Sequence, residues 1–167
     1  MLAQHPFKMS TFQIKDLGFI DYPSVLAAMR SFTQQRTPQS LDELWICEHP
    51  PVYTVGASLH HSPFQHPSIP VCLSDRGGKI TYHAPGQLMV YVLQDLRRAS
   101  YGIKEYVFRI EQALMKTLEH FALTSYRVKG APGLYVKPQA PLATKACLPN
   151  LMPANWGLTL PWPKLHS

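Results

Sequence analysis

Residues 75–91 read DRGGKITYHAPGQLMVY and combine a polar loop with the start of an apolar strand. The two glycines let the backbone turn tightly and approach a ligand. The arginine beside them carries a planar fork of hydrogen-bond donors that suits a carbonyl, a carboxylate or a phosphate. The side chains of this run that can hydrogen-bond to a ligand are Arg76, Thr81, Tyr82, His83 and Gln87. A polar loop carried by a rigid strand is typical of a functional site.

A simpler interpretation of the same run stays open. A Gly-Gly pair before a strand is common at the entry of a hairpin, and a histidine beside a Pro-Gly turn is more often a packing residue than a catalytic one. Spacing alone favours neither interpretation. The patterns GxxxxGK[ST] and GxGxxG are absent from the sequence, so a phosphate-binding loop is poorly supported.

The segments before this run alternate between helix and strand patterns. Residues 22–35 place apolar side chains at helical spacing and predict a helix. Residues 41–49 (LDELWICEH) predict a strand that stops at two prolines, and residues 52–56 predict a second, shorter strand. Residues 57–70 contain three prolines and three histidines and predict a loop.

The segments that follow continue the alternation. The stretch KITYH (79–83) begins a third strand, and residues 88–96 (LMVYVLQDL) predict a buried one. Residues 103–121 repeat apolar side chains in steps of three and four and predict the longest helix, with Ser100 as its cap. Residues 133–136 predict a further short strand. Alternating strands and helices indicate the α/β or α+β class.

The last part of the chain has a different composition. Residues 137–167 contain six prolines and no acidic residue. Because proline removes a backbone donor, we expect this tail to form neither a regular helix nor a central strand, and to be irregular from residue 137 onward. The pattern therefore divides the chain into a structured domain over residues 1–136 and an irregular, divergent tail over residues 137–167.

Composition limits the classes of function. The net charge is +6, but the basic residues are scattered, so an acidic protein partner fits at least as well as nucleic acid. No apolar run reaches the length of a membrane span, and the N-terminal residues lack the apolar stretch of a signal peptide, so we expect a cytoplasmic protein without a membrane partner. The three cysteines are widely spaced, which argues against a disulfide framework and a zinc site.

Three blocks of the sequence resemble one known family. RGGKITYHAPGQ (76–87) is similar to the hallmark of the lipoyl(octanoyl) transferase family. EHPPVYTVG (48–56) and APGLYV (131–136) resemble two further blocks of that family, and all three occur in its order. The resemblance covers about residues 12–136.

The resemblance implies an acyltransferase that moves an octanoyl group from acyl carrier protein to the lysine amine of a lipoyl domain. The implied partners are octanoyl-acyl carrier protein, the lipoyl domains of 2-oxoacid dehydrogenases, and the glycine cleavage H protein. The implied fold is that of the biotin/lipoyl protein ligases, a mixed sheet with flanking helices. The acyl thioester is already activated, so no metal, nucleotide or other cofactor is expected. The implied substrate-binding residues are Arg76, Gly77, Gly78, Lys79, Ile80, Thr81, Tyr82 and His83.

The family's reaction also implies a cysteine that forms an acyl-enzyme, assisted by a nearby lysine that lowers its pKa. The family's HGLALN and PCG motifs are not found in this sequence, and only Lys145 resembles the assisting lysine. Cys47 and Cys72 lie in strand-like apolar settings and Cys147 lies in the tail, so we expect each to be structural rather than nucleophilic.

We hypothesise that a shift of reading frame between Val136 and Lys145 causes this departure from the family's motifs. When the tail is back-translated and read in another frame, it can spell parts of the missing motifs. True divergence of the tail is the alternative. Two other functions stay open. One is an inactive remnant that binds the acyl group or its carrier protein. The other is an ATP-dependent lipoate or biotin protein ligase. A ligase would carry a GRGxxG-type loop at the position where this sequence reads DRGGKITYH, which argues against that function.

Overall fold

The computed structural model describes residues 12–59, 61, 64–77, 79–129, 131–136, 145–146 and 156–161. Its helices are α1 Tyr22–Gln35, α2 Leu96–Ala99 and α3 Ile103–His120. Its strands are β1 Phe12–Phe19, β2 Asp42–Glu48, β3 Val52–Val55, β4 Val71–Leu73, β5 Ile80–His83, β6 Gln87–Leu93, β7 Ser125–Val128, β8 Ala131–Val136, β9 Lys145–Ala146 and β10 Trp156–Pro161.

The largest sheet has the strand order β1-β2-β6-β10 and is mixed. β1 runs parallel to β2, whereas β2 and β10 both pair with β6 in the antiparallel sense. The parallel pair is joined through α1, as parallel strands require a crossover connection. A bulge interrupts β1 between Asp16 and Gly18, where Gly18 adopts a left-handed φ of 61° and donates its N–H to the Asp16 carboxylate.

α1 covers one face of this sheet. The helix begins where the Asp21 carboxylate accepts the Ser24 N–H at 2.9 Å, which satisfies one of the free donors of the first turn. Its apolar stripe then packs against the strands, as the spacing of apolar residues predicts. The buried core on this face consists of Val25, Met29, Trp45, Cys47, Met89, Tyr91 and Leu93.

α3 packs on the other side of the large sheet. Its buried residues Leu114 and Leu118 contact Leu134 of β8, and Val90 of β6 packs against the same cluster. Side chains alternate along a strand, so Val90 faces α3 while its neighbours face α1. A buried tyrosine, Tyr106, donates its hydroxyl to the Val92 carbonyl at 2.9 Å and fixes the helix on β6.

Two smaller sheets complete the described structure. One has the order β4-β3-β5, with β3 parallel to β4 and antiparallel to β5. The other has the order β7-β8-β9 and is antiparallel. The mixed sheets and flanking helices confirm the predicted α/β (α+β) architecture.

Most sequence-based element predictions are confirmed. Five predicted elements coincide with α1, β2, β3, β5 and α3 to within a residue or two. β6 and β8 each begin slightly earlier than predicted, and β6 ends at Leu93, three residues before its predicted end, because α2 begins at Leu96. The prediction for Ser100 was wrong, because Ser100 ends α2 in a left-handed conformation with φ of 59°. The residue at the N-cap of α3 is Gly102, which provides no side-chain hydrogen bond.

The prediction that the chain is irregular from residue 137 onward was wrong in two places. Lys145–Ala146 forms β9 against β8, and Trp156–Pro161 forms β10 against β6. The prolines bound these segments instead of interrupting them: the only proline in β10 is its last residue, Pro161. β10 is also an outer strand in the order of the large sheet, which agrees with the expectation that the tail provides no central strand.

A membrane-spanning helix must be long and apolar, and the described part contains the three α-helices α1 to α3. None of the three is both long enough and apolar enough to cross a bilayer.

Candidate functional site

A cluster of polar side chains lies where α1 begins, where β2 ends, and where the β4-β3-β5 sheet meets β6. Most of these side chains are buried, although each carries a hydrogen-bonding group. A buried polar group is costly without a partner, and here hydrogen bonds and ring contacts join neighbouring groups into a network. The network consists of Tyr22, His49, Thr54, Ser74, Arg76, His83, Gln87 and Tyr91.

Arg76 organises the loop that carries it. Its guanidinium donates to the carbonyl oxygens of Gly77 at 3.0 Å and Lys79 at 2.9 Å, both in the same loop. It also reaches across to β3, where it donates to the carbonyl of Thr54 at 2.6 Å and to the Thr54 hydroxyl. The sequence suggested a fork of donors for a ligand, but these donors are directed mainly at the protein's own backbone. Arg76 therefore shapes the loop, and its place in substrate binding stays a prediction.

His83 is tied to the same threonine from the opposite strand. Thr54 is fully buried, and its hydroxyl lies 3.0 Å from Nε2 of His83, which is 4% exposed. The other ring nitrogen, Nδ1, lies 3.1 Å from Oε1 of Gln87, which stands just beyond the turn. The turn is fixed from β2, because the Glu48 carboxylate accepts the Gly86 N–H at 2.7 Å.

A second buried histidine lies at the end of β2. Nδ1 of His49 is 2.6 Å from the carbonyl oxygen of Ile20, which can only accept, so Nδ1 carries the proton. Nε2 is then an acceptor, and the Tyr91 hydroxyl donates to it at 2.7 Å. The two contacts hold the ring in one tautomer and connect the β1–α1 loop, the end of β2 and β6.

Tyr22, in the first turn of α1, packs between the two histidines. Its ring stacks on His83 with centroids 5.9 Å apart and meets His49 edge-on at 5.6 Å. Its hydroxyl contacts the hydroxyl of Ser74 at 2.6 Å, and the same oxygen of Ser74 accepts the Arg76 N–H. A tyrosine at this position therefore links the histidine pair to the arginine loop.

The electrostatics of the site favour neutral histidines. Burial lowers the pKa of His83 to about 4, since the cation would lose its hydration, and the nearby His49 and Arg76 act in the same direction. Burial also lowers the pKa of His49, against the opposing effect of its bond to the Ile20 carbonyl. Burial likewise raises the pKa of Tyr22. At neutral pH the site thus presents uncharged rings beside one guanidinium.

Neither cysteine of the described part has the character of a nucleophile. Cys47 is 2% exposed within the α1 core, and burial raises the pKa of its thiol to about 12. Burial also raises the pKa of the Cys72 thiol in β4. A thiolate is the reactive form, so both observations agree with the structural interpretation of these two residues, which stays a prediction. Cys147 lies outside the described residues.

The structure separates the other sequence-predicted site residues. Thr81 lies on the same face of β5 as His83, and it is the register partner of Thr54. Ile80 and Tyr82 project to the opposite face, where they are 38% and 44% exposed. On that face the ring of Tyr82 packs against the ring of Tyr53, with centroids 5.0 Å apart. Lys79 is exposed, while its carbonyl is bonded to Arg76. Gly78 lies outside the described residues.

Lys145 lies on a different sheet from this network. Its backbone pairs with Tyr135 of β8. β8 is itself held by α3, where Glu111 accepts the Gly133 N–H at 3.2 Å and forms an ion pair with Arg127. Gly133 has a left-handed φ of 111°, which explains the glycine in the APGLYV block.

Sequence reasoning overlooked the residues that hold the site together. Tyr22, Thr54 and Tyr91 were assigned only to a helix and two strands, although Thr54 and His49 both lie in the block 48–56 that carries part of the resemblance. Their position in that block was the available signal. Within the described ranges, no group of three or more His, Cys, Asp or Glu side chains could hold a metal ion.

The fold is shared with solved structures of known proteins. Solved structures with the same fold include a lipoate-protein ligase A bound with ATP, at a TM-score of 0.64 and 13% identity, covering 90% of this chain and 66% of that one. A bipartite lipoate protein ligase from Thermoplasma acidophilum matches at a TM-score of 0.62 and 13% identity, covering 90% of this chain and 62% of that one. At such low identity these similarities establish the architecture alone, which is that of the lipoate-protein ligases.

The family model described as the lipoyl protein ligase A/B catalytic domain matches residues 21–146, so the chain belongs to that family. The matched range contains the whole polar network and also reaches β9. The predicted boundary at residue 136 stays a prediction.

The chain is also similar to curated octanoyltransferases. The protein from Albidiferax ferrireducens is 52% identical over 146 residues, which is 87% of this chain and 63% of the relative. Those from Variovorax paradoxus and Methylibium petroleiphilum are 48% and 52% identical over 140 and 125 residues, which is 83% and 74% of this chain and 62% and 56% of the relatives. The chain thus spans less than two thirds of the length of these relatives.

Proposed function

We propose that the chain acts in protein lipoylation as an octanoyltransferase, which accepts an octanoyl group from octanoyl-acyl carrier protein and passes it to a lysine of a lipoyl domain. The observation that carries the proposal is the buried network from Arg76 through Thr54 to His83, which lies within the range matched by the family. Relatives at about half identity bear the name octanoyltransferase, which supports the same reaction.

The arrangement of the network fits an acyl thioester. The apolar side chains of β3 and β6 would surround the octanoyl chain, and the Arg76 loop together with Thr81 of β5 would supply polar groups to the thioester end. His83 is neutral in this setting, so it can exchange hydrogen bonds without adding a charge beside an apolar chain. The net charge of +6 suits an acidic carrier protein as the donor of the acyl group.

Lys145 is proposed as the lysine that assists the nucleophile, on the strength of its resemblance to the family's assisting lysine and of its place beside β8. Cys47 and Cys72 are not proposed as that nucleophile, because the pKa of each thiol is raised by burial. This chemistry favours one second candidate: a protein that binds the acyl group, or the carrier protein that bears it, without transferring it. An ATP-dependent ligase gains support from the fold alone and is not favoured by the site.

The test is an incubation of the purified chain with octanoyl-acyl carrier protein and a lipoyl domain, without ATP, followed by intact-mass measurement of all three proteins. An octanoyl adduct on the lipoyl domain would support the transferase. Binding of octanoyl-acyl carrier protein without any adduct would support the second candidate. Modification only when free octanoate and ATP replace the acyl carrier would overturn both in favour of a ligase.

Matched variants separate the site from the rest of the surface. Thr81→Val, on the inner face of β5, is expected to weaken retention of octanoyl-acyl carrier protein about tenfold, the effect of losing one hydrogen bond of ordinary strength. Thr117→Val, on an exposed turn of α3, is expected to leave it unchanged. Equal binding of octanoyl- and unacylated carrier protein by the parent chain would contradict an acyl site. Any adduct on the chain itself is expected outside Cys47 and Cys72.

A further inference from the structure

We propose that Thr54 is a positioning residue, which holds His83 in its Nδ1–H tautomer and aligns the Arg76 loop with it. Thr54 belongs to neither the arginine loop nor the histidine strand, yet it contacts both. The inference deepens the proposed octanoyltransferase function. It rests on that function only for the assignment of the network as an acyl-binding site, since the tautomer of His83 can be measured without any substrate.

The direction of each hydrogen bond follows from the chemistry of Arg76. A guanidinium stays protonated and has no acceptor, so it can only donate. Its Nε and Nη2 atoms lie 3.1 Å and 2.9 Å from the Thr54 oxygen. Neither nitrogen can accept the Thr54 hydrogen, so this buried hydroxyl has only one neighbour left that can take it. Thr54 must therefore direct its own hydrogen to its remaining neighbour.

That neighbour is Nε2 of His83, at 3.0 Å. An atom that receives this hydrogen carries none of its own, so the ring proton is on Nδ1. Nδ1–H then donates to Oε1 of Gln87 at 3.1 Å. The chain of donation runs in one direction, from Arg76 through Thr54 and His83 to Gln87, and each member has the partner that its chemistry requires.

Burial makes the threonine difficult to replace by water. Thr54 is fully buried and His83 is 4% exposed, so a hydroxyl removed from this place leaves the ring nitrogen without a ready solvent partner. The β-branched side chain of threonine also suits its position in β3 opposite Thr81. Valine keeps that shape and removes only the hydroxyl, whereas serine keeps the hydroxyl.

The decisive measurement is the tautomer of His83, read from ¹⁵N chemical shifts and long-range ¹H–¹⁵N couplings of the full chain labelled at histidine, with His83→Gln used to assign the signal. We expect the Nδ1–H tautomer in the parent protein and in Thr54→Ser. In Thr54→Val we expect the Nε2–H tautomer to become populated. Thr117→Val is the matched control and should leave the ring unchanged.

Two results would overturn the proposal: an Nε2–H tautomer in the parent protein, or an unchanged Nδ1–H tautomer in a folded Thr54→Val. If that variant does not fold, the parent and Thr54→Ser spectra still decide. Affinity for octanoyl-acyl carrier protein is measured on the same samples, with a loss of about tenfold expected for Thr54→Val and recovery in Thr54→Ser. Absence of binding in the parent would count against the proposed function alone, because the tautomer reports on Thr54 independently.

Discussion

Mild acid should destabilise this protein through His83. The pKa of His83 is lowered by burial from an ordinary value of 6.5 to about 4 in the folded state. Between these values the unfolded chain binds a proton that the folded chain refuses, so stability rises with pH across this window. The stabilisation is therefore complete above the unfolded pKa and is lost as the pH falls from about 6.5 towards 4. His49 acts in the same direction, because its pKa is also lowered by burial.

The size of the effect follows from the shift. One pKa unit corresponds to about 1.4 kcal/mol, so the full shift of His83 corresponds to about 3 kcal/mol below both pKa values. Between about pH 7 and pH 5 the expected loss is about 2 kcal/mol of unfolding free energy. The groups that face the ring are Tyr22, His49 and Arg76, of which only the guanidinium is charged at neutral pH.

The assay is urea unfolding at the two pH values for the parent chain and His83→Gln. Glutamine cannot titrate, so the variant should lose about 2 kcal/mol less than the parent over the same interval, whatever its stability at neutral pH. His61→Gln, which changes an exposed histidine, is the matched control and should keep the pH dependence of the parent. An identical pH dependence in the parent and His83→Gln would refute the inference that His83 is held neutral in the folded state.

Two further variants test the packing around the site. Tyr91→Phe should lower the unfolding free energy by about 1–3 kcal/mol in urea titrations, because it removes the hydroxyl that donates to the buried Nε2 of His49. Tyr101→Phe, which removes a half-buried hydrogen bond, should cost about 1 kcal/mol or less, and equal losses in the two variants would contradict this account. Asp42→Asn should lower the unfolding free energy by about 3–5 kcal/mol in the same titrations, because the Asp42 carboxylate, which is 2% exposed, forms an ion pair with the nearly buried Arg36. A loss below about 1 kcal/mol would argue against that role.

Much of the fold could be predicted because local pattern and tertiary environment agree. The apolar spacing of residues 22–35 matches the face that α1 buries, and the prolines after β2 coincide with its end. β1 carried too little signal, because Ile14 and Phe19 are more than half exposed and no clear alternation marks a buried face. The tail was mispredicted because its prolines were counted over the whole segment, whereas β9 and β10 fit between them.

The candidate site could be located from sequence but not assembled. The run 75–91 indicated polar groups near a strand, and Arg76 and His83 do share a network. Its connecting residue, Thr54, precedes the run by more than twenty positions, and apart from its place in the block 48–56 nothing distinguishes a single threonine in a strand. His49 has the same difficulty, because its partners Ile20 and Tyr91 are distant in sequence. Long-range hydrogen bonds leave no periodic trace.

The network also implies that the site is shaped before a ligand arrives. The Arg76 donors are directed at Gly77, Lys79 and Thr54, so the loop acquires its conformation from the protein's own groups. A loop ordered in this way loses little conformational entropy when it binds, which favours affinity. It follows that Arg76 should influence a bound acyl thioester mainly through the backbone it arranges. We therefore expect Arg76→Lys to lose the conformation of the loop although it keeps the charge, because a single ammonium group cannot reproduce the planar set of hydrogen bonds.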